Sequence, residues 1–312
     1  MQVSNTKKNN ITIICPLYNA SNYIEKLHNK LLEQKVTKDE EIFIKYILTK
    51  SKDNTEEILK KIGANYKVIT PQEFSHSQTR EKAAMELVDN DIIVFISQDV
   101  KIKGVNWLKN LINPIKLGEC EASFSRQLPE NETIEKYIRE KNYPENSRIV
   151  SKADIPRLGL LTFFYSDASS AVRDEVYREL KGYDNKRLVI SEDMYLAEKI
   201  ITSGYRIKYC ADSEVYHSHT FTLKELYKRY FDTGVFFKQN SQFLKYKSAG
   251  CGLAMAKHAL KRSLEEKNYK VTLSILPNFA SRFIGSQLGK RYEKLPKKLV
   301  NISSLSKKVY SN

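Results

Sequence analysis

The chain of 312 residues carries only four cysteines, Cys15, Cys120, Cys210 and Cys251, and they form no Cys-x-x-Cys pair. That scarcity excludes a zinc ribbon and a small disulfide scaffold, and it fits reduced core thiols in a cytosolic protein. No apolar run approaches the roughly 18–20 residues that a membrane-spanning helix needs. The first ten residues, Met1 to Asn10, are polar, contain two lysines and lack the apolar centre of a signal peptide. No G-x-G-x-x-G follows the first apolar run and no G-x-x-x-x-G-K-[ST] occurs, so dehydrogenase and P-loop readings lose their support.

What is present is ample for a packed core: 41% hydrophobic residues and 19 tyrosines, in a length that suits one large α/β domain plus a smaller appendage. The net charge of +15 is unevenly spread. Residues 220–312 hold 19 Lys and Arg against 5 Asp and Glu, which leaves the preceding part nearly neutral. Such asymmetry suggests an appended surface that meets something anionic, either nucleic acid or a phospholipid leaflet. A solvated basic face with no partner is the plainer alternative.

The most telling stretch is Asp91 to Val100. Ile92 to Ile96 are apolar at both parities, as in a strand covered on both faces, and they run straight into Ser97-Gln98-Asp99. Asp99 then stands at the carboxyl end of a strand, where open α/β sheets bind their ligands. Before it, Ile11–Cys15 reads as a first strand ended by Pro16, and Ile42–Leu48 and Tyr66–Ile69 as the next two. Helices follow each, with apolar spacing at Ile24, Leu27, Leu31 and Leu32 and at Ile58, Leu59, Ile62, and then over Thr79–Val88. That rhythm predicts a doubly wound, mostly parallel α/β sheet. Glu192-Asp193 opens another helical pattern through Met194, Leu196, Ala197, Ile200 and Ile201. Leu223, Leu226, Tyr227, Tyr230 and Phe231 recur at helical spacing with Lys224, Lys228 and Arg229 between them, a basic amphipathic helix.

In chain order, eight elements match one family: Ile13-Ile-Cys-Pro-Leu-Tyr-Asn-Ala20, the Ser51-x-Asp-x-Thr55 turn, Phe74-x-His-x-x-Thr-Arg80, Ser97-Gln-Asp99, Arg126-Gln-Leu-Pro129, Gly182-Tyr-Asp184, Ser191-Glu-Asp-Met194 and Val215-Tyr-His-Ser-His219. Residues 10–240 thus resemble family 2 glycosyltransferases of the GT-A fold. With Lys228-Arg-Tyr-Phe-Asp-Thr-Gly234 they are most similar to the bacterial rhamnosyltransferase-like branch. The resemblance implies a GT-A catalytic domain over 1–221 and a basic, mainly helical region over 222–312. It implies an inverting transfer from a nucleotide-diphosphate sugar, dTDP- or UDP-linked with rhamnose a candidate, to a saccharide or lipid-linked acceptor of a cell-surface polysaccharide.

Site residues carry over position by position. Asp193 matches the family's catalytic base, with Glu192 its neighbour. The acidic motif that holds Mn²⁺ or Mg²⁺ begins here with Ser97, leaving Asp99 as its carboxylate, and His217 occupies the position of a histidine ligand, with His219 as the alternative. Donor contacts fall to Pro16, Tyr18, Asn19, Asp53, Arg80, Gln98 and Asp167. Leu48 stands where the family has an Asp that meets the base or ribose, Ser77 replaces a usual Gly, and Asp167 replaces a frequent Asn. Enzymes of this kind often use lipid-linked acceptors, so the basic third is expected on an anionic membrane at the inner face of the cytoplasmic membrane, extended by Lys294, Lys297, Lys298, Lys307 and Lys308. A donor-binding protein without turnover is the alternative raised by Leu48 and Ser97. Nucleic-acid binding has only the charge in its favour.

Overall fold

In the computed structural model, which describes residues 8–247 and 251–306, four strands and three helices alternate first. They are β1 (Asn9–Leu17), α1 (Ile24–Leu32), β2 (Glu40–Thr49), α2 (Thr55–Lys61), β3 (Tyr66–Ile69), α3 (His76–Met85) and β4 (Ile92–Ile96). Then come β5 (Lys101–Ile102), α4 (Trp107–Lys116), β6 (Ala122–Leu128), α5 (Ile134–Asn142), β7 (Arg148–Val150), α6 (Ile155–Leu158), β8 (Ser169–Arg173), α7 (Asp174–Glu179), α8 (Glu192–Thr202) and β9 (Ile207–Tyr216). Beyond β9 run α9 (Leu223–Gln239), α10 (Cys251–Glu265), α11 (Tyr269–Gly289) and α12 (Lys297–Ser303). Lys307, Lys308 and the thiol of Cys251 lie outside the described residues, whereas Cys15, Cys120 and Cys210 are buried free thiols.

The strands form one sheet in the order β3-β2-β1-β4-β8-β6-β9-β5, with β7 also on β9. β3, β2, β1 and β4 are parallel neighbours, as the alternating pattern predicts. Beyond β4 the sheet is mixed rather than mostly parallel, because β8 enters antiparallel between β4 and β6 while β6 and β9 pair in parallel. Pro16 does not end β1; it pairs in register with Ile47, and the strand runs on to Leu17. A proline removes one ladder donor and holds φ within the extended range, so a strand tolerates it near its end.

Strand parity sends alternate residues into two apolar layers. Ile92, Val94 and Ile96 face Leu27, Leu31, Leu108 and Leu111 on one side, and Ile93 and Phe95 face Ala83, Tyr177 and Leu196 on the other. Both layers exclude water, and each fully enclosed aliphatic or aromatic side chain contributes about 1.5–3 kcal/mol. Leu48 belongs to the first layer and is 1% exposed, so its apolar side chain serves the core. Every strand that ends at the carboxyl edge therefore starts from a rigid base.

The helices after β9 pack on this body through unusually close backbones. A Cβ at Gly289 would lie 2.0 Å from the Phe231 carbonyl oxygen, and one at Gly234 2.3 Å from that of Ser286, so α9 and α11 cross where only glycine fits. Arg282 of α11 reaches Glu135 of α5 at 2.7 Å and the Tyr230 hydroxyl at 2.6 Å.

Candidate active site

The loops at the carboxyl edge are laced together by polar bonds. Gln98, directly after β4, accepts from the Tyr18 amide at 2.7 Å and donates to its carbonyl at 3.0 Å. Asn19, in the left-handed region at φ 47°, donates its amide to Ser51 Oγ at 2.9 Å and accepts from the Lys52 amide. Asp53 accepts from the Ser21 amide and the Thr55 hydroxyl. These bonds outweigh the effect of burial and hold its carboxyl down to about 2. Tyr18, Asn19, Asp53 and Gln98 thus stand together at this edge, next to Pro16. The carboxylate of Asp53 is engaged in joining the two loops, while the Tyr18 side chain, 46% exposed, is open to solvent.

Next to this rim, Asp99 meets the end of β9. Asp99 Oδ2 lies 3.6 Å from His217 Nε2 and 3.7 Å from His219 Nε2, and one ligand atom from each residue falls within 4.8 Å of the others. A hydrogen-bond chain orients the first imidazole. Arg139, which can only donate, bonds Gln127 Oε1, so that oxygen is an acceptor and His217 Nδ1, 2.9 Å away, must carry the proton. The lone pair of His217 is thereby left on Nε2, facing Asp99. Gln127 is fixed in turn by donating to Ser166 Oγ at 2.8 Å. Burial, and then the neighbouring charges of His217, Arg139 and Arg229, press His219 down to about 4, which keeps it neutral. Burial works to raise the Asp99 carboxyl, but the two histidines outweigh it and keep it below the usual range. One carboxylate oxygen and two imidazole nitrogens, one of the rings oriented by an outer amide, are a donor set that fits Mn²⁺ better than Mg²⁺.

A second cluster gathers at the start of α8. Ser191, just before the helix, is held in the left-handed region at φ 61°, a conformation a non-glycine residue adopts only at a cost. Glu192 and Asp193 then occupy the first turn. Glu192 lies 3.3 Å from Arg80 Nη1, and His76 and Arg80 keep its carboxyl low against the effect of burial. For Asp193 the Met194 amide and the charge of Arg229 work in its favour, but they are outweighed. Burial, Glu192 and Asp167 all push its carboxyl well above the usual range, and its one recorded bond accepts from the Met194 amide at 2.8 Å. Asp167, 2% exposed, accepts from the Tyr183 hydroxyl at 2.5 Å and from Ser170 Oγ, and burial raises it to about 6 although Arg80 opposes the shift.

Arg80 is 4% exposed and donates to the His76 carbonyl, so its guanidinium is enclosed beside Glu192. Ser77, where a glycine was expected, accepts from the Leu188 amide and donates to the Lys186 carbonyl, stitching down the loop that precedes α8. Two residues escaped the sequence reading. Gln127 was visible only as a letter of Arg-Gln-Leu-Pro, and Arg229 was read only as part of the basic face of an amphipathic helix. Its charge in fact reaches His76, Glu192, Asp193 and His219.

Comparison with known proteins agrees with this geometry. Residues 12–181 match the family model for glycosyl transferase family 2. The chain is 33% identical over 310 residues to the O-antigen chain rhamnosyltransferase RfbN of Salmonella typhimurium, covering 97% of this chain and 96% of that one. It is 32% identical over 307 residues to the O-antigen chain rhamnosyltransferase WbaN of Salmonella anatum, covering 96% of each. Among solved structures, the mannosyltransferase PcManGT of Pyrobaculum calidifontis, in complex with GDP-Man and Mn²⁺, superposes with a TM-score of 0.65 at 15% identity, over 93% of this chain and 89% of that one. TarS residues 1–349 of S. aureus, in complex with UDP-GlcNAc, gives 0.53 at 15% identity, over 91% of this chain and 92% of that one. By sequence and by architecture, the chain belongs to glycosyl transferase family 2 and is a glycosyltransferase of the GT-A fold.

Proposed function

We propose that this glycosyltransferase moves rhamnose from a dTDP- or UDP-linked donor to a lipid-linked saccharide acceptor of an O-antigen, with inversion at the anomeric carbon and with the help of Mn²⁺ or Mg²⁺. The observation that carries the metal dependence is the Asp99–His217–His219 cluster at the carboxyl edge of the sheet. The sugar and acceptor class rest on the relatives, two O-antigen chain rhamnosyltransferases.

Residues 1–221 would do the chemistry and 222–312 would support it at the inner face of the cytoplasmic membrane. Asp99, His217 and His219 would hold the cation, which supplies neutralisation of the departing diphosphate. Pro16, Tyr18, Asn19 and Gln98 form the rim that receives the nucleotide, and Asp53 keeps that rim in place. Arg229, exposed and without a carboxylate partner among the described residues, offers a cation to the phosphates from α9. Asp193 takes the proton of the acceptor hydroxyl as its oxygen bonds to the anomeric carbon and the bond to the diphosphate breaks. A carboxyl held above the ordinary range is a stronger proton acceptor once ionised, as this step requires. Glu192 stays ionised beside it, positioned by Arg80.

A thermal-shift panel of nucleotide sugars with and without Mn²⁺ tests the reading, since a ligand bound only by the folded state raises the melting temperature. A rise with dTDP-rhamnose that needs Mn²⁺ is the expected result. Equal shifts with and without metal would remove the metal from the account.

A further inference from the structure

Helix α11 is turned inside out. The side it presents to the protein carries Asn278, Arg282, Gly285 and Gly289 together with Val271 and Ile275. Its other side holds Tyr269, Leu273, Leu276, Phe283 and Ile284; the first three are four and three apart, Phe283 follows two turns on and Ile284 lies beside it, so they share one face. Leu273 is 80% exposed, Leu276 79% and Phe283 65%, values at which these side chains touch almost nothing. Leu253, Leu260 and Leu264 continue the apolar surface on α10, the helix packed beside α11, and are 63%, 41% and 49% exposed. A contiguous apolar face of this kind marks a surface made for a partner.

The charges around the face say which partner. Tyr269–Gly289 contains no Asp or Glu, and of its two cations Arg282 is turned inward to Glu135. Lys257 and Lys261 lie exposed between the leucines of α10, Lys270 stands at the rim of α11, and Lys290 and Arg291 follow its last turn. A second copy of this chain would bring a matching positive face against it. An anionic bilayer complements it on both counts, apolar depth and negative headgroups. Among the described residues no helix is long and apolar enough to cross a membrane, so the face would lie in the interface rather than span it.

We propose that the outer face of α11, with the leucines of α10, inserts into the headgroup boundary of an anionic phospholipid leaflet and holds the enzyme there. Charge alone would hold the protein at the surface reversibly; the inserted side chains give a component that salt does not screen. This deepens the reading of a membrane-borne acceptor given above.

Flotation of the full chain with vesicles of phosphatidylethanolamine and phosphatidylglycerol, against pure phosphatidylcholine vesicles, tests it. The wild type should bind the anionic vesicles, and part of that binding should survive 0.5 M NaCl. In L273Q/L276Q/F283Q the partition should fall at least about tenfold at every salt concentration, because each of these side chains loses its transfer into the interface. All three positions are exposed, so the melting temperature and transfer to a soluble acceptor saccharide should hold, and K257Q/K261Q/K270Q should weaken binding only at low salt. Undiminished vesicle binding by the triple variant would overturn the proposal. So would a wild-type dimer in sedimentation that the triple variant loses, since the face would then join two copies. Absence of sugar transfer by the wild type would count against the enzymatic reading and leave the vesicle result to stand by itself.

Discussion

Arg80 Nη1 stands 3.3 Å from Glu192 Oε1, joining α3 to the first turn of α8 across 112 residues of chain. Both side chains are largely enclosed, 5% and 14% exposed, and each helps to keep the other charged inside the protein. Removing one partner of such a pair costs about 3–5 kcal/mol, whereas replacing both costs far less. Arg80→Leu and Glu192→Leu should each lower stability in urea unfolding, and the double variant should lose much less than the two together. Additive losses would mean that the pair is not coupled.

Gln127 orients His217 without reaching the cluster's centre. Gln127→Leu removes the acceptor that fixes the proton on Nδ1 and also leaves Arg139 unpaired. Outer partners of this kind are worth about 10–100-fold in metal affinity. Calorimetric titration with Mn²⁺ and a nucleoside diphosphate should show that weakening in Gln127→Leu, a larger one in Asp99→Ala and His217→Ala, and a smaller one in His219→Ala. Unchanged affinity in both the Asp99 and His217 variants would withdraw the metal assignment.

Much of this arrangement was legible beforehand. Asp99, His217 and His219 could be grouped because β4 is an apolar run that ends in polar letters, while the resemblance to the family put the two histidines at the place of a metal ligand. The starts of α3 and α8 were close to their places, since Ser75 caps the former and Glu192 and Asp193 complement the dipole of the latter. Periodicity, however, reports which face a residue occupies and not which strand lies beside it, so the antiparallel entry of β8 between β4 and β6 left no local trace. The same limit hid the pairing of Arg80 with Glu192 and the reach of the Arg229 charge towards α8. Pro16 misled for another reason: a strand near its end can lose one ladder donor at small cost.

Asp167 stays in the core with its carboxyl raised to about 6. A carboxyl whose folded value lies above its unfolded value is a liability wherever it is ionised, so it lowers stability as pH rises from about 4 to 6. Asp167→Asn should therefore raise the melting temperature at pH 8, and the gain should fade as the pH falls from 6 towards 4. A gain that persists at pH 4 would point to packing instead.

The pH dependence of turnover follows from the second cluster. As the proposed base Asp193 has to be ionised, and burial beside Glu192 and Asp167 raises its carboxyl. Turnover should be lost as pH falls, and the loss should set in well above the value of about 3.9 expected for a free aspartate. A flat profile down to that value would show that no raised carboxyl governs the step.

The proposed transfer of the acceptor hydroxyl's proton to Asp193 is read out by the single-turnover rate of sugar transfer in Asp193→Asn at saturating donor. Loss of a positioned general base lowers such a rate by about 10²–10⁴-fold. The account predicts a fall in that range with donor binding nearly intact, and a smaller fall in Glu192→Gln. Transfer by Asp193→Asn at the wild-type rate would contradict it.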